Sequence, residues 1–399
     1  MCSLPAPPGP ASWRPLSPMP SALSLTAPRR SDRAIIGAVL LLAAAGVVAV
    51  YSAISFLAET KGGGDTERFL FNHLVRLGLA VGVMGAVSLV DYRWLARISR
   101  PLMLLAWGLL IAVQVMGVVT NGAQRWIDLG FVTFQPSDIA KVAVLLHVAV
   151  LLAKKQPYIE SLGRGYLPLL FWIGPTLLLI GMEDLSTAAI LLATLTGMMF
   201  VGRVRVTHLL GTGAIALVLA IGFLAANPQR AARIDSWLGT SFFTTEETAE
   251  ATYSDQDEGY QARQAKIAFA MGGVTGRGPG KSVQRDFLPA PYNDFIFAIV
   301  AEEYGLAGAV GLLVLFVWIL GRGLLRIARG AADPLGLFLA TGITCAVVLY
   351  GFVNAAVATG LAPVTGLAMP FVSYGGTSLL ATGAMVGILL NISRHADAA

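Results

Sequence analysis

The chain has 399 residues, of which 56% are hydrophobic and only 13% charged, with a formal net charge of +5. Soluble globular domains carry about 25% charged residues, so this composition excludes a soluble enzyme, a disordered chain and a disulfide scaffold. The positive balance does not point to nucleic acid, because Lys and Arg are scattered between apolar runs with no basic stripe or aromatic RNA motif.

Residues 1–31 hold eight of the 20 prolines. Such a segment cannot be helical and lacks the apolar centre of a signal peptide. It reads as a disordered cytoplasmic tail, with Met19 an alternative start. Ten apolar segments follow, at 34–56, 72–90, 101–120, 137–153, 166–182, 184–202, 206–226, 294–320, 335–359 and 373–392. About 20 helical residues at 1.5 Å each cross a hydrocarbon core of roughly 30 Å. Arg29, Arg30 and Arg33 precede the first segment. Arg93, Arg97 and Arg100 follow the second, Lys154, Lys155 and Arg164 the fourth, and Arg203 and Arg205 the sixth. Arg322, Arg326 and Arg329 follow the eighth, and Arg394 ends the tenth. Every second connection is basic, which places both termini in the cytoplasm. The expected fold is an all-α integral membrane protein of ten transmembrane helices, N-in and C-in, with a membrane domain over 32–394 and a short cytoplasmic tail over 395–399.

A polar loop at 227–293 separates segments seven and eight on the outer face. Its 246–258 part carries six acids and no base, and reads as solvated. Its 259–282 part, with Tyr260, Ile267, Phe269 and Met271, predicts a short helix at the membrane surface followed by a glycine-rich turn. Loops this long in a compact protein are usually functional or disordered.

Charges inside spans are costly and mark functional candidates. Asp138 and Lys141 share a helical face at i, i+3 near the outer end of segment four. Asp184 opens segment six, Asp294 segment eight, and Ser373-Tyr374-Gly375-Gly376 segment ten; Arg125 and Trp126 stand just before segment four. These groups are expected to gather at the outer mouth of the bundle. Each has a plainer alternative. Lys141 and Asp184 can form a structural ion pair, and Asp138 and Asp294 can cap their helices. Alternatively, partial desolvation raises the Asp294 pKa towards the range of a general base. Glu302 and Glu303, roughly 12–13 Å farther along a straight helix, either line a polar cavity or pair with a buried base such as Arg76.

The run from Gly272 to Ser282 fails as a P-loop, since Thr275 stands where the pattern needs glycine. Its glycines with Arg277, Lys281 and Arg285 either wrap a phosphate or form a hairpin turn. Residues 360–378, with Pro363 and Pro370, cannot continue a lipid-exposed helix and must be buried or line a wet cavity. Cys2 and Cys345 have no ligand-spaced partners, and His73, His147, His208 and His395 are dispersed, so zinc, haem and cysteine-nucleophile chemistry are not expected.

Four ordered motifs resemble the SEDS family (shape, elongation, division and sporulation proteins). They are NGAQRWIDLG with FQPSDIAK (121–141), YQARQAKIAFAMGGVTGRGPGKS (260–282), DFIFAIVAEEYG (294–305) and PVTGLAMPFVSYGGTS (363–378), closing with GILLNISR (387–394). The resemblance implies a peptidoglycan glycosyltransferase that polymerises lipid II at the outer face of the bacterial cytoplasmic membrane. Asp294 falls on the family's essential aspartate, a proposed base and metal ligand. Lys141 and Asp138 fall on a conserved lysine–acid motif, usually Glu at the acid, and Asp184 on the acid of a Gln-Pro-Asp run. That run reads Met182-Glu183-Asp184 here, and Tyr292-Asn293 replaces the usual His-Thr before Asp294. Cations for the departing pyrophosphate are sought among Lys141, Arg277, Lys281 and Arg125, with a divalent Mg²⁺ or Mn²⁺ suiting an oxygen-ligand site. Ser373, Tyr374, Gly375 and Gly376 are carried over as substrate-binding.

The resemblance also implies a class B penicillin-binding protein transpeptidase as partner, with other divisome or elongasome membrane proteins. The N-terminal extension and the 260–282 motif are nearer the FtsW (division) branch than the RodA (elongation) branch. The competing classes are a lipid II flippase or polytopic transporter, and a scaffold that only docks a partner enzyme. Transporters place broken helices and charges near the bilayer midplane in two similar halves, whereas these candidates cluster at one face and no internal repeat is visible.

Overall fold

A computed structural model describes residues 31–61, 66–120, 123–128, 130, 133–238, 258–288 and 290–396. The tail over 1–30, the acid-rich 246–257 stretch and Cys2 lie outside the described residues. The helices are α1 (Arg33–Lys61), α2 (Thr66–Leu89), α3 (Tyr92–Arg97), α4 (Ser99–Met116), α5 (Pro136–Lys155), α6 (Leu167–Glu183), α7 (Leu185–Val201) and α8 (Val206–Ala225). They continue with α9 (Pro228–Leu238), α10 (Glu258–Gly272), α11 (Ile296–Gly321), α12 (Pro334–Thr359) and α13 (Thr377–His395). Among the described residues nine helices are long and apolar enough to cross a membrane, and the 17-residue α7 is apolar but shorter.

The expectation of an all-helical chain is corrected at 118–134. There the chain forms a small antiparallel sheet in the order β1 (Val118–Thr120), β2 (Ala123–Asp128), β3 (Thr133–Phe134). The third segment therefore stops at Met116 rather than 120, with Gly117 in an extended conformation. β-Branched and aromatic residues (Val118, Val119, Trp126, Ile127, Phe134) favour strands, and pairing satisfies backbone groups that lie between two helices.

Local signals set the helix ends that carry the site. Pro136 occupies the first turn of α5, where its missing N–H costs nothing. Asp184 caps α7 by accepting from Thr187 N. Gly360 ends α12 in the left-handed conformation (φ 77°). The centre of the bundle is α5 and α12, with 78% and 72% of their apolar stretches buried, against 6% for α8. α2 and α13 pack backbone to backbone, because a side chain at Gly383 or Gly387 would collide with the carbonyls of Ala80 or Met84.

The eighth apolar segment departs most from expectation. Its 294–320 run is not one straight helix: the helix starts at Ile296 and is interrupted at Gly305 (φ 65°, ψ −163°). Only glycine tolerates that region of backbone space. Any side chain there would strike Val274 and Gly276, so the glycine-rich turn after α10 packs into the break. The short helix and glycine-rich turn expected over 259–282 are present as α10 and the 273–280 turn. α13 runs to His395, and residues 397–399 of the expected C-terminal tail lie outside the described ones.

Candidate active site

Four elements converge where α5, α7, α11 and α13 begin. Near the start of α5, Lys141 Nζ lies 2.6 Å from Asp138 Oδ1. Thr377, opening α13, donates to Asp138 Oδ2 at 2.7 Å and accepts from Gln135 N at 3.2 Å. The Lys141 ammonium also lies 4.8 Å from the centre of the Tyr350 ring. The acid is thus a structural clasp between helices, and its lysine is buried beside it.

The second acid, Asp184, accepts from Thr187 N (3.0 Å) and Thr187 Oγ1 (2.8 Å) and pairs with Arg125 Nη1 at 3.5 Å. Arg125 reaches it from β2 and donates from Nε to Glu183 O at 3.0 Å. A narrow crevice opens beside this pair, walled by Leu110, Val113, Gln135, Pro136, Leu179 and Ile180.

Asp294 stands in the turn before α11. Asn354 of α12 holds that turn, donating to Asp294 O (3.0 Å) and Leu367 O (2.7 Å). The Ser373 hydroxyl donates to Asn293 O at 2.7 Å, and Tyr374 N donates to Tyr292 O at 2.8 Å. The 363–376 segment is therefore stitched to the residues preceding Asp294. A methyl group at Gly366 would stand 3.7 Å from Asp294 Oδ2 and 4.0 Å from Arg125 Nη1, so carboxylate and guanidinium flank one backbone point. Asp294 Oδ1 is buried and has no hydrogen-bond partner. Burial lifts the Asp294 pKa to about 6; Arg125 opposes the shift, and the Asp184 charge adds to it. Burial likewise raises the Tyr292 phenol.

Several sequence expectations need correction. Lys141 pairs with Asp138, and Asp184 pairs with Arg125 rather than with Lys141. Asp138 is not a helix cap: Gln135 holds that position, and the acid's oxygens go to Lys141 and Thr377. Asp294 does not cap α11, whose first turn receives no side-chain cap. Asp184 does cap its helix, alongside its pairing. Glu302 and Glu303 do not meet Arg76. They anchor the 277–285 turn: Glu302 accepts from Ser282 Oγ, Val283 N and Gln284 N and lies 3.6 Å from Arg277. Glu303 accepts from Ser52 Oγ and Ser282 N.

Arg277 and Lys281 thus sit on the turn packed at Gly305, whereas Arg125 and Asp294 flank Gly366. Ser373 is buried, its hydroxyl bonded to Met369 N and Asn293 O, and Gly375 and Gly376 lead into α13. Sequence reading missed Asn354, Thr377, Thr187 and Gly366. The available signal was an amide in the middle of an apolar run, which needs a partner in a membrane.

Fold and site together define a polytopic helical membrane protein with a desolvated carboxylate and a guanidinium at one mouth of the bundle. Comparison with known proteins narrows this class. Residues 32–398 match the profile of the cell cycle protein family of FtsW, RodA and SpoVE. The chain is 38% identical to the stage V sporulation protein E of Bacillus subtilis (strain 168) over 89% of this chain and 95% of that protein. It is 37% identical to a probable peptidoglycan glycosyltransferase FtsW of Geobacter sulfurreducens over 91% of this chain and 95% of that protein. Among solved structures, it matches a chain from work on the structural coordination of polymerization and crosslinking by a peptidoglycan synthase complex. That match has a TM-score of 0.73 and 28% identity, covering 91% of this chain and 98% of that one. The rod shape determining protein RodA of Thermus thermophilus matches with a TM-score of 0.65 and 26% identity, covering 91% of this chain and 97% of that one. The chain belongs to the FtsW/RodA/SpoVE family, and it is a multi-pass protein of the bacterial cytoplasmic membrane.

Proposed function

We propose that the protein is a peptidoglycan glycosyltransferase that polymerises lipid II, a disaccharide-pentapeptide on undecaprenyl pyrophosphate, with Asp294 as general base. The observation that carries the reading is the Asp294 carboxylate: one oxygen is unpartnered, the other flanks Gly366 beside Arg125, and burial tunes the group to about 6. A base with a pKa near working pH is efficient. In the reaction the acceptor 4-hydroxyl oxygen bonds to the donor's anomeric carbon as that carbon's bond to the pyrophosphate oxygen breaks. Asp294 takes the hydroxyl proton, the carrier leaves with the electron pair, and configuration inverts.

Arg125 is the cation best placed to meet the pyrophosphate, being partly exposed next to Asp294. Lys141, buried against Asp138 and Tyr350, supports the wall behind it. Arg277, exposed and 3.6 Å from Glu302, and the exposed Lys281 are the loop cations for substrate. Ser373, Gly375 and Gly376 shape the segment beneath Asp294, and Tyr374 offers an aromatic face. Among the described residues no three His, Cys, Asp or Glu side chains converge as a metal cage. Asp294 Oδ1 fits a Mg²⁺ or Mn²⁺ that takes its other ligands from pyrophosphate and water, as Mg²⁺ commonly does; such an ion would neutralise charge on the leaving group.

The reading includes ten spans with both termini cytoplasmic, the site facing outside, a cytoplasmic tail at the N-terminus and the 227–293 loop exposed outside. Similarity to the synthase-complex chain supports a class B penicillin-binding protein partner alongside other divisome or elongasome proteins. The exposed apolar ridge Leu306, Val310, Val314 and Val317 on α11 supplies a helical face for a single-span partner. The division role is favoured over elongation by 37% identity to an FtsW sequence against 26% to the RodA structure. Purified protein with labelled lipid II tests the reading. Polymer on a gel supports it, whereas leaflet exchange without polymer makes the protein a flippase and neither product makes it a scaffold. Repeating the assay with and without divalent ions tests the metal.

A further inference from the structure

Two ion pairs lie close together at the outer mouth. Lys141 is held by Asp138 at 2.6 Å, and Arg125 by Asp184 at 3.5 Å. The Asp184 charge nevertheless acts on Lys141, and opposite charges withdrawn from water gain by approaching one another. The two do not meet, so a third group sets the order of pairing.

That group is Tyr350 of α12, buried against Ile190 and Leu367. The Lys141 ammonium lies 4.8 Å from the centre of its ring. The phenol oxygen, at the other end of the side chain, faces Thr187. Thr187 in turn donates to Asp184 from both its backbone N–H and its hydroxyl. Tyr350 therefore touches the lysine with one end and the surroundings of the second acid with the other. One turn farther along the same face of α12, Asn354 donates to Asp294 O and Leu367 O. A single helix face thus reaches both charge pairs and the Asp294 turn.

We propose that Tyr350 is a positioning residue: its ring stands between Lys141 and Asp184, keeps the ammonium on Asp138, and so reserves Asp184 to anchor the Arg125 guanidinium. The ring face attracts the ammonium, and a desolvated contact of this kind is worth about tenfold or more in a pairing equilibrium. With the ring removed, Lys141 turns to Asp184 and Arg125 loses its anchor. The use of Arg125 on a pyrophosphate rests on the glycosyltransferase reading, whereas the order of pairing does not.

The test is the rate at which phenylglyoxal labels Arg125 in the full-length protein in detergent, read by peptide mass spectrometry. The exposed Arg277 serves as internal reference. Tyr350→Ala should speed labelling of Arg125 about tenfold and leave Arg277 unchanged. Tyr350→Phe keeps the ring over Lys141 and should stay near wild type. Asp184→Asn retains a capping side chain but not the charge, so it should speed Arg125 labelling as much as Tyr350→Ala does. The double variant should be no faster than Asp184→Asn alone. In polymerisation assays Tyr350→Ala should raise the KM for lipid II at least about fivefold, with kcat changed less. Labelling of Arg125 at the wild-type rate in Tyr350→Ala overturns the proposal. So does equal acceleration at Arg277, which is general loosening, or an effect of Tyr350→Ala that persists in full on top of Asp184→Asn. An unchanged KM overturns the positioning role. Melting curves check folding, and Tyr350→Leu, which fills most of the space without a ring face, carries the same comparison if Tyr350→Ala folds poorly. A wild-type protein that makes no polymer sinks the glycosyltransferase reading and leaves the labelling comparison standing.

Discussion

Replacing Asp294 by Asn should stabilise the protein while disabling it. The wild-type carboxyl ionises near 6 in the fold against 3.8 in an ordinary peptide, a difference of about 2 units caused mainly by burial. At about 1.4 kcal/mol per unit, full ionisation in the folded state would cost ~3 kcal/mol. The side chain keeps some contact with water, which reduces the figure to ~1–2 kcal/mol. The sign follows from the raised value. Below pH 3.8 the acid is neutral in folded and unfolded chains and carries no penalty, and stability is lost as pH rises through about 6. An amide of the same shape has no such term. Thermal melts of purified wild type and Asp294→Asn should coincide near pH 4 and separate above pH 6, the variant melting roughly 1–3 °C higher. A variant that melts lower than wild type at pH 8, or a gap that ignores pH, would refute the desolvation argument.

Other consequences are equally specific. Asn354→Leu leaves the Asp294 and Leu367 carbonyls unpaired, so stability should fall by ~1–3 kcal/mol. Its kcat should drop at least about tenfold with KM little changed, measured as polymer formed against lipid II concentration. Arg125→Gln removes the charge that opposes the Asp294 shift, so the acid limb of the pH–rate profile should move up by as much as about 1 unit. An unmoved limb would mean that another group sets it. Gly305→Ala forces a side chain into backbone that only glycine adopts and into Val274 and Gly276, so folded yield should collapse, with a cost of ~3 kcal/mol or more.

Hydropathy made the spans legible because a bilayer demands long apolar helices with every backbone group satisfied. It could not show the 118–134 sheet, whose strands are two to six residues long and lie in a loop. Nor could it show the break at Gly305, since a glycine in an apolar run looks like an ordinary helical one. The pairing of Asp138 with Lys141 follows from helical spacing. The pairing of Asp184 with Arg125 bridges a sheet and a helix cap distant in sequence, which no local pattern encodes. The alternative of a Lys141–Asp184 ion pair fails for that reason. Asp294 was legible as a candidate, but its free oxygen depends on Asn354, Gly366 and Ser373 arriving from two later segments.

The central claim is that the Asp294 carboxylate takes the acceptor's proton. Single-turnover polymerisation of labelled lipid II by purified wild type and Asp294→Asn, with lipid binding measured on the same samples, tests it most directly. The account predicts bound lipid in both and a rate reduced by about 10²-fold or more in the variant, the usual worth of a general base. A variant that elongates glycan at the wild-type rate would contradict it.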